Sequence, residues 1–130
     1  MKSPKGDSTL YKVYFYKDKN GNSPIIKYMR ELAASSDKDS RIKLKKIQEY
    51  INYLKAEGKQ AGEPYIKPLV GEIWELRPIK DRVLFAAWDG KSFMLFHHFV
   101  KKTQKTPQRE IEQAKRNLAD IRKRGLEDEQ

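Results

Sequence analysis

The apolar residues of this chain change period halfway along, and that change limits the folds open to it. In the first half Ile25, Tyr28, Met29 and Leu32, then Ile42, Ile47, Tyr50, Ile51 and Leu54, recur at the spacing of amphipathic helices. In the second half "EIWELRPI", "RVLFAAWDGKS" and "SFMLFHHFV" are short runs rich in β-branched and aromatic residues, the composition of strands. A chain of this kind must pack a few helices against a small sheet.

Local signals place the boundaries. Ser23 before Pro24 is the pairing of an N-cap with a first helical residue, so one helix is predicted over residues 24–34. "SSDKDS" breaks it, and a second helix runs until Gly58 stops it. The short polar link between them predicts an antiparallel helical hairpin. "LYKVYFY", residues 10–16, reads as a first strand, and "GKQAGEP" after Gly58 as a loop. Asp89-Gly90 marks a hairpin between the last two strand runs, while the turn at Asp81-Arg82 is looser. After Pro107 the residues Ile111, Ala114, Leu118 and Ile121 form one helical face that Gly125 ends.

The order strand, two helices, three strands, helix gives an α+β fold: a small, mostly antiparallel sheet with the helices against one face. The 130 residues fit one domain over residues 10–125, between a loose tail at 1–9 and an acidic tail at 126–130.

Composition narrows the chemistry. The chain has no cysteine, which removes disulfides, thiolate zinc sites and cysteine nucleophiles together. Its two histidines are adjacent, a spacing that fits neither an HExxH helix nor a zinc site, so no metal or cofactor is expected. No apolar stretch approaches the ~20 residues of a membrane span, and "MKSPKGDS" lacks the apolar core of a signal peptide. The expectation is a cytoplasmic protein without a membrane partner. A formal charge of +10 favours a polyanionic partner, because neutralising phosphates releases counterions.

Within the strands, period two sorts residues by face. If Trp74 and Leu76 point to the core, Glu75 and Arg77 point away from it, onto an open sheet face. Arg82 opens the next strand close to Arg77, and His97 and His98 must take opposite faces unless a bulge intervenes. Glu75, Arg77, Arg82, one histidine and the lysines after it could then share the open face. Such a set suits RNA transesterification. Glu75 or His97 would remove the 2′-hydroxyl proton, Arg77 and Arg82 would hold the phosphate, and His97 or a lysine such as Lys102 would protonate the leaving oxygen. Lys67, Lys101 and Lys105 would bind the RNA backbone. Each residue also has a plainer reading: Glu75 with an arginine as a cross-strand ion pair, the histidines as packed residues, the lysines as solvated loop charges.

"KPLVGEIWELRP", the arginine opening the next strand, and "LFHHFVKKTQKTPQREIEQAKRNLAD" together closely resemble the phage-derived Gp49-like, HigB-type toxins of the RelE/ParE superfamily. The similarity runs from about residue 67 to 120, and the earlier strand and helical hairpin fit the same RelE-like topology. His97 matches that family's histidine two residues before phenylalanine. The resemblance implies a bacterial type II toxin that cuts translated mRNA on the ribosome without a metal. It also implies a HigA-like helix-turn-helix antitoxin as partner, with operator DNA bound only through the toxin–antitoxin complex. ParE-like gyrase inhibitors share the superfamily's fold, and a non-catalytic RNA-binding module would carry the same charge, so both remain open alternatives.

Overall fold

A computed structural model describes residues 10–126. The tail expected at 1–9 and all but the first residue of the acidic tail lie outside the described residues.

The elements are strand β1 (Lys12–Phe15), helices α1 (Pro24–Ala34) and α2 (Lys38–Glu57), strands β2 (Ile66–Val70), β3 (Ile73–Leu76), β4 (Asp81–Asp89) and β5 (Ser92–Val100), and helix α3 (Gln108–Arg124). One turn of 3-10 helix, Gly58–Ala61, follows α2. The five strands form one sheet in the order β1-β5-β4-β3-β2. β1 runs parallel to β5 and every other neighbouring pair is antiparallel. The α+β class and the mostly antiparallel sheet are as the sequence predicts.

Two features depart from expectation. β2 is a fifth strand that the sequence pattern did not reveal, because Pro68 interrupts it. A proline lacks the ladder donor and is tolerated at an edge, which is where β2 lies, and the register shifts between Pro68 and Val70. The second departure is the placement of the helices, which do not all pack on one face. Ile25 and Leu32 of α1 and Ile47, Ile51 and Leu54 of α2 meet Leu76, Val83, Phe85, Phe93 and Leu95 on one side of the sheet. Ala114, Leu118 and Ile121 of α3 meet Ile73, Leu84, Ala86, Met94 and Phe96 on the other. The physical reason is in β4 and β5, where "VLFAA" and "FMLF" run apolar without alternation and are buried on both faces. Either face left bare would expose a strip of core to water.

The helix ends follow the sequence signals. Ser23 Oγ accepts from the amide of Ile26 at 3.3 Å, with Pro24 in the first turn. Asp37 caps α2 through a 2.7 Å bond from the amide of Ser40. The far end of α3 is tied to β1's continuation: the Tyr16 hydroxyl donates to Asp120, and Arg124 pairs with the same carboxylate at 2.8 Å. Arg124 and then Tyr16 hold the Asp120 carboxyl down to about 2. Burial, reinforced by Asp120, pushes the Tyr16 phenol up to about 12.

Gly58 has φ +60°, and a Cβ built there would sit 2.7 Å from the Tyr11 ring. Gly58→Ala therefore combines left-handed backbone strain with a forced shift of Tyr11. It should lower unfolding stability by about 1–3 kcal/mol in urea titrations. A variant as stable as wild type would show that the α2 terminus relaxes freely.

Candidate active site

Alternation along β3 places Trp74 and Leu76 towards α1 and α2, and Ile73 and Glu75 towards α3. That division of faces is the one the sequence implies. The face receiving Glu75 is not open, however, because the segment leading into α3 crosses it. Glu75 is 3 % exposed and Arg82 6 % exposed.

Three charged groups meet there. Glu75 Oε2 lies 3.5 Å from Arg77 Nε and 3.9 Å from Arg82 Nε. Its other oxygen, Oε1, accepts from the Thr106 hydroxyl at 2.7 Å. Arg77 Nη1 also stands 4.0 Å from Glu63 Oε1. The Nε of Arg77 is buried and no hydrogen bond satisfies it. Arg82 donates from one nitrogen, Nη1, to the carbonyls of Ile79 at 2.9 Å and Asp81 at 2.8 Å. Burial holds the Arg82 guanidinium below its usual value, with Glu75 pulling the other way and Arg77 adding to the fall. It remains a cation at neutral pH. One buried carboxylate thus faces two guanidinia, with the exposed carboxylate of Glu63 at the cluster's edge.

Four lysines lie on the flanking segments. Lys67 pairs in register with Glu75 from edge strand β2 and is exposed. Lys101 is half-buried just beyond β5, while Lys102 and Lys105 are exposed on the segment 101–107. Among the described residues none of these four side chains forms an ion pair, so their charge is free for an anion.

The histidines do not join this cluster. Leu84 pairs with His97 and Phe85 with Leu95, so Phe96 is the extra residue of a β-bulge. Phe96 and His97 consequently both face α3, and His98 faces α1. In the cross-strand row Leu84 stands between Glu75 and His97, which puts them two strand spacings apart, roughly 10 Å. His97 Nε2 lies 3.1 Å from the carbonyl of Glu110, and since a carbonyl only accepts, that nitrogen carries the proton. Its Nδ1 is 3.7 Å from Glu110 Oε1. Both histidines line a groove of about 1140 Å³ between α1 and α3, which does not reach Glu75, Arg77 or Arg82. Among the described residues no cluster of His, Asp and Glu could hold a metal ion.

Of the eight residues singled out from sequence, the fold therefore brings together Glu75, Arg77 and Arg82, with Lys67 in register beside Glu75 and Lys101, Lys102 and Lys105 on the segment that carries Thr106 to it. His97 stands apart. Thr106 and Glu63 belong to the cluster and were missed. Thr106 sits in the "KTP" that opens the last helix, a stretch read for its lysines alone. Glu63 lies in a loop with no pattern to mark it.

A small sheet lies between a helical hairpin and a terminal helix, with a buried carboxylate–arginine cluster where the chain leads into that helix. The profile of the phage-derived Gp49-like family (DUF891) matches residues 29–119, and the chain belongs to that family, a toxin-like one. No curated protein matches the chain. No helix among the described residues is long and apolar enough to cross a membrane.

His98 yields a pH prediction. Its ring stacks on Tyr28 at 3.7 Å, its Nδ1 is buried without a partner, and burial lowers its pKa, with Asp81 opposing and His97 adding to the fall. The folded state resists a proton that the unfolded chain accepts near 6.5. The stability this group contributes is present above that value and is lost as pH falls below it. Thermal unfolding should show wild type losing more stability than His98→Phe between pH ~7 and ~5; parallel curves would place the titration elsewhere.

Proposed function

We propose that this protein is the toxin of a type II toxin–antitoxin pair, an endoribonuclease of HigB type that cuts translated mRNA in the cytoplasm. The observation that carries the reading is the pair of guanidinia, Arg77 and Arg82, held about one buried carboxylate, with unpaired lysines on the flanking segments. The family's relation to RelE-type nucleases supports it.

The geometry suits stabilisation of a pentavalent phosphorane. Arg82 spends Nη1 on two backbone carbonyls and makes no hydrogen bond with Nη2 among the described residues, so Nη2 is left for a phosphate oxygen. Arg77, partly exposed, presents its terminal nitrogens beside it. Glu75 orients both arginines and, once Thr106 releases Oε1, is the carboxylate placed to take the 2′-hydroxyl proton. The 2′-oxygen then attacks phosphorus, and the 5′-oxygen leaves with a proton from Lys102 or Lys101. The products are a 2′,3′-cyclic phosphate and a 5′-hydroxyl. His97, tied to Glu110 across Leu84, takes no part in this scheme. Lys67 and Lys105 hold the flanking backbone by charge. The partner is a HigA-like helix-turn-helix antitoxin, with operator DNA reached only through that complex.

A binding-only reading draws on the burial of Glu75 and Arg82, which a structural ion cluster would also show. Cleavage decides between them. In a purified translation reaction with 5′ ends mapped by primer extension, wild type should give discrete cuts in translated message. Arg77→Ala should lower the cleavage rate by about 100-fold or more while remaining folded. Message left intact by wild type excludes the nuclease; equal cleavage by the variant excludes this site.

Lys101→Ala tests the flanking lysines. Removing one phosphate contact should weaken binding to all RNA sequences alike and reduce the slope of log affinity against log salt by about 1. An unchanged slope would return Lys101 to ordinary surface charge.

A further inference from the structure

The turn between β3 and β4 carries a backbone conformation that its own side chain does not explain. Ile79 has φ 54°, in the left-handed region that β-branched residues avoid. Its side chain is 52 % exposed, so no buried contact compensates. Strain of this kind persists only where the surroundings over-determine it, and it concentrates at functional sites.

The surroundings here converge from both faces of the sheet. Arg82 Nη1 binds the carbonyls on either side of Lys80, those of Ile79 and Asp81. The amide of Asp81 donates to Pro78 O at 2.9 Å, and that of Lys101 to Lys80 O at 2.7 Å. From the α1 side, the Tyr28 hydroxyl donates to Asp81 Oδ1 at 3.0 Å. Asp81 is 2 % exposed, and the Tyr28 ring is backed by the stacked ring of His98, 12° from parallel. Burial and then Asp81 push the Tyr28 phenol up, so it keeps the proton it donates. An unbroken path runs from α1 through Tyr28, Asp81 and the turn to a guanidinium on the opposite face.

From this geometry we propose that Asp81, gripped by Tyr28, is a positioning residue for Arg82. The pair fixes the turn so that the Ile79 carbonyl points inward and engages Nη1, which aims Nη2 at the site of the reacting phosphate. The inference rests on the nuclease reading for its consequence, though the placement of Arg82 can be measured without it. The acceptor oxygen on residue 81 does the work, and its negative charge is incidental.

The test compares wild type with Tyr28→Phe, Asp81→Ala and Asp81→Asn in the translated-message cleavage reaction. Arginine side-chain NMR runs alongside, with the Arg82 Nε–H resonance assigned by its loss in Arg82→Lys. Tyr28→Phe keeps the ring stack and loses only the hydroxyl. It and Asp81→Ala should cut about 10- to 100-fold more slowly at saturating message, with the half-saturating concentration unchanged. In both, the Arg82 resonance should broaden into exchange with water. Asp81→Asn retains an acceptor oxygen and should recover most of the rate and the resonance. A Tyr28→Phe protein with wild-type rate and wild-type resonance overturns the proposal, as does equal loss in Asp81→Asn and Asp81→Ala. If wild type itself cuts no message, the nuclease reading fails and the resonance alone decides whether Tyr28 and Asp81 place Arg82.

Discussion

The central strands β4 and β5 are apolar on both faces, and most of the architecture answers to that one constraint. A sheet whose middle is buried on two sides needs a cover on each, at roughly 25 cal/mol for every Å² of apolar surface withdrawn from water. The helical hairpin supplies one cover and α3 the other. To reach its side, the chain must leave β5 and cross the sheet's end through residues 101–107. That crossing carries Lys101, Lys102 and Lys105 and brings Thr106 down on Glu75. The candidate site is thus a by-product of how the second cover is attached.

The same double burial explains which parts of the fold were legible. Helices α1, α2 and α3 stood out because each has a polar outer face, a cap at one end or a glycine at the other. The Asp89-Gly90 turn announced the β4–β5 hairpin. The uncovered error was the side on which α3 packs. "VLFAA" and "FMLF" lack alternation, and a strand without alternation is one with two buried faces; that signal was present and pointed away from a one-sided sheet. β2 was hidden by a proline that is harmless only at an edge, a fact about neighbours rather than about the segment.

The site divided along similar lines. Period two put Glu75 and Arg77 on one face correctly, since β3 is regular. It also allowed one histidine on that face, and the bulge at Phe96 puts His97 there; distance keeps His97 out of the cluster, because Leu84 stands between it and Glu75. Nothing in "LFHHFV" distinguishes a bulged from a regular strand, whereas the partner strand opposite does. Asp81, Tyr28 and Ile79 were invisible for another reason: they act through hydrogen bonds between segments far apart in sequence.

The parallel pairing of β1 with β5 has a consequence for the order in which the sheet can close. Lys12 meets Ser92 and Phe15 meets Leu95, so the earliest of these five strands waits for the latest of them before it can join the sheet. The entropy of closing so long a loop falls on a single four-residue strand, and closure follows the local hairpins. Until β5 is in place, the aromatic segment Tyr11 to Tyr16 has no sheet to dock on, and α3, whose far end is tied to Tyr16, lacks that anchor. The β1 edge and the far end of α3 are thereby the last parts of the sheet's surroundings to be secured, and they are secured together.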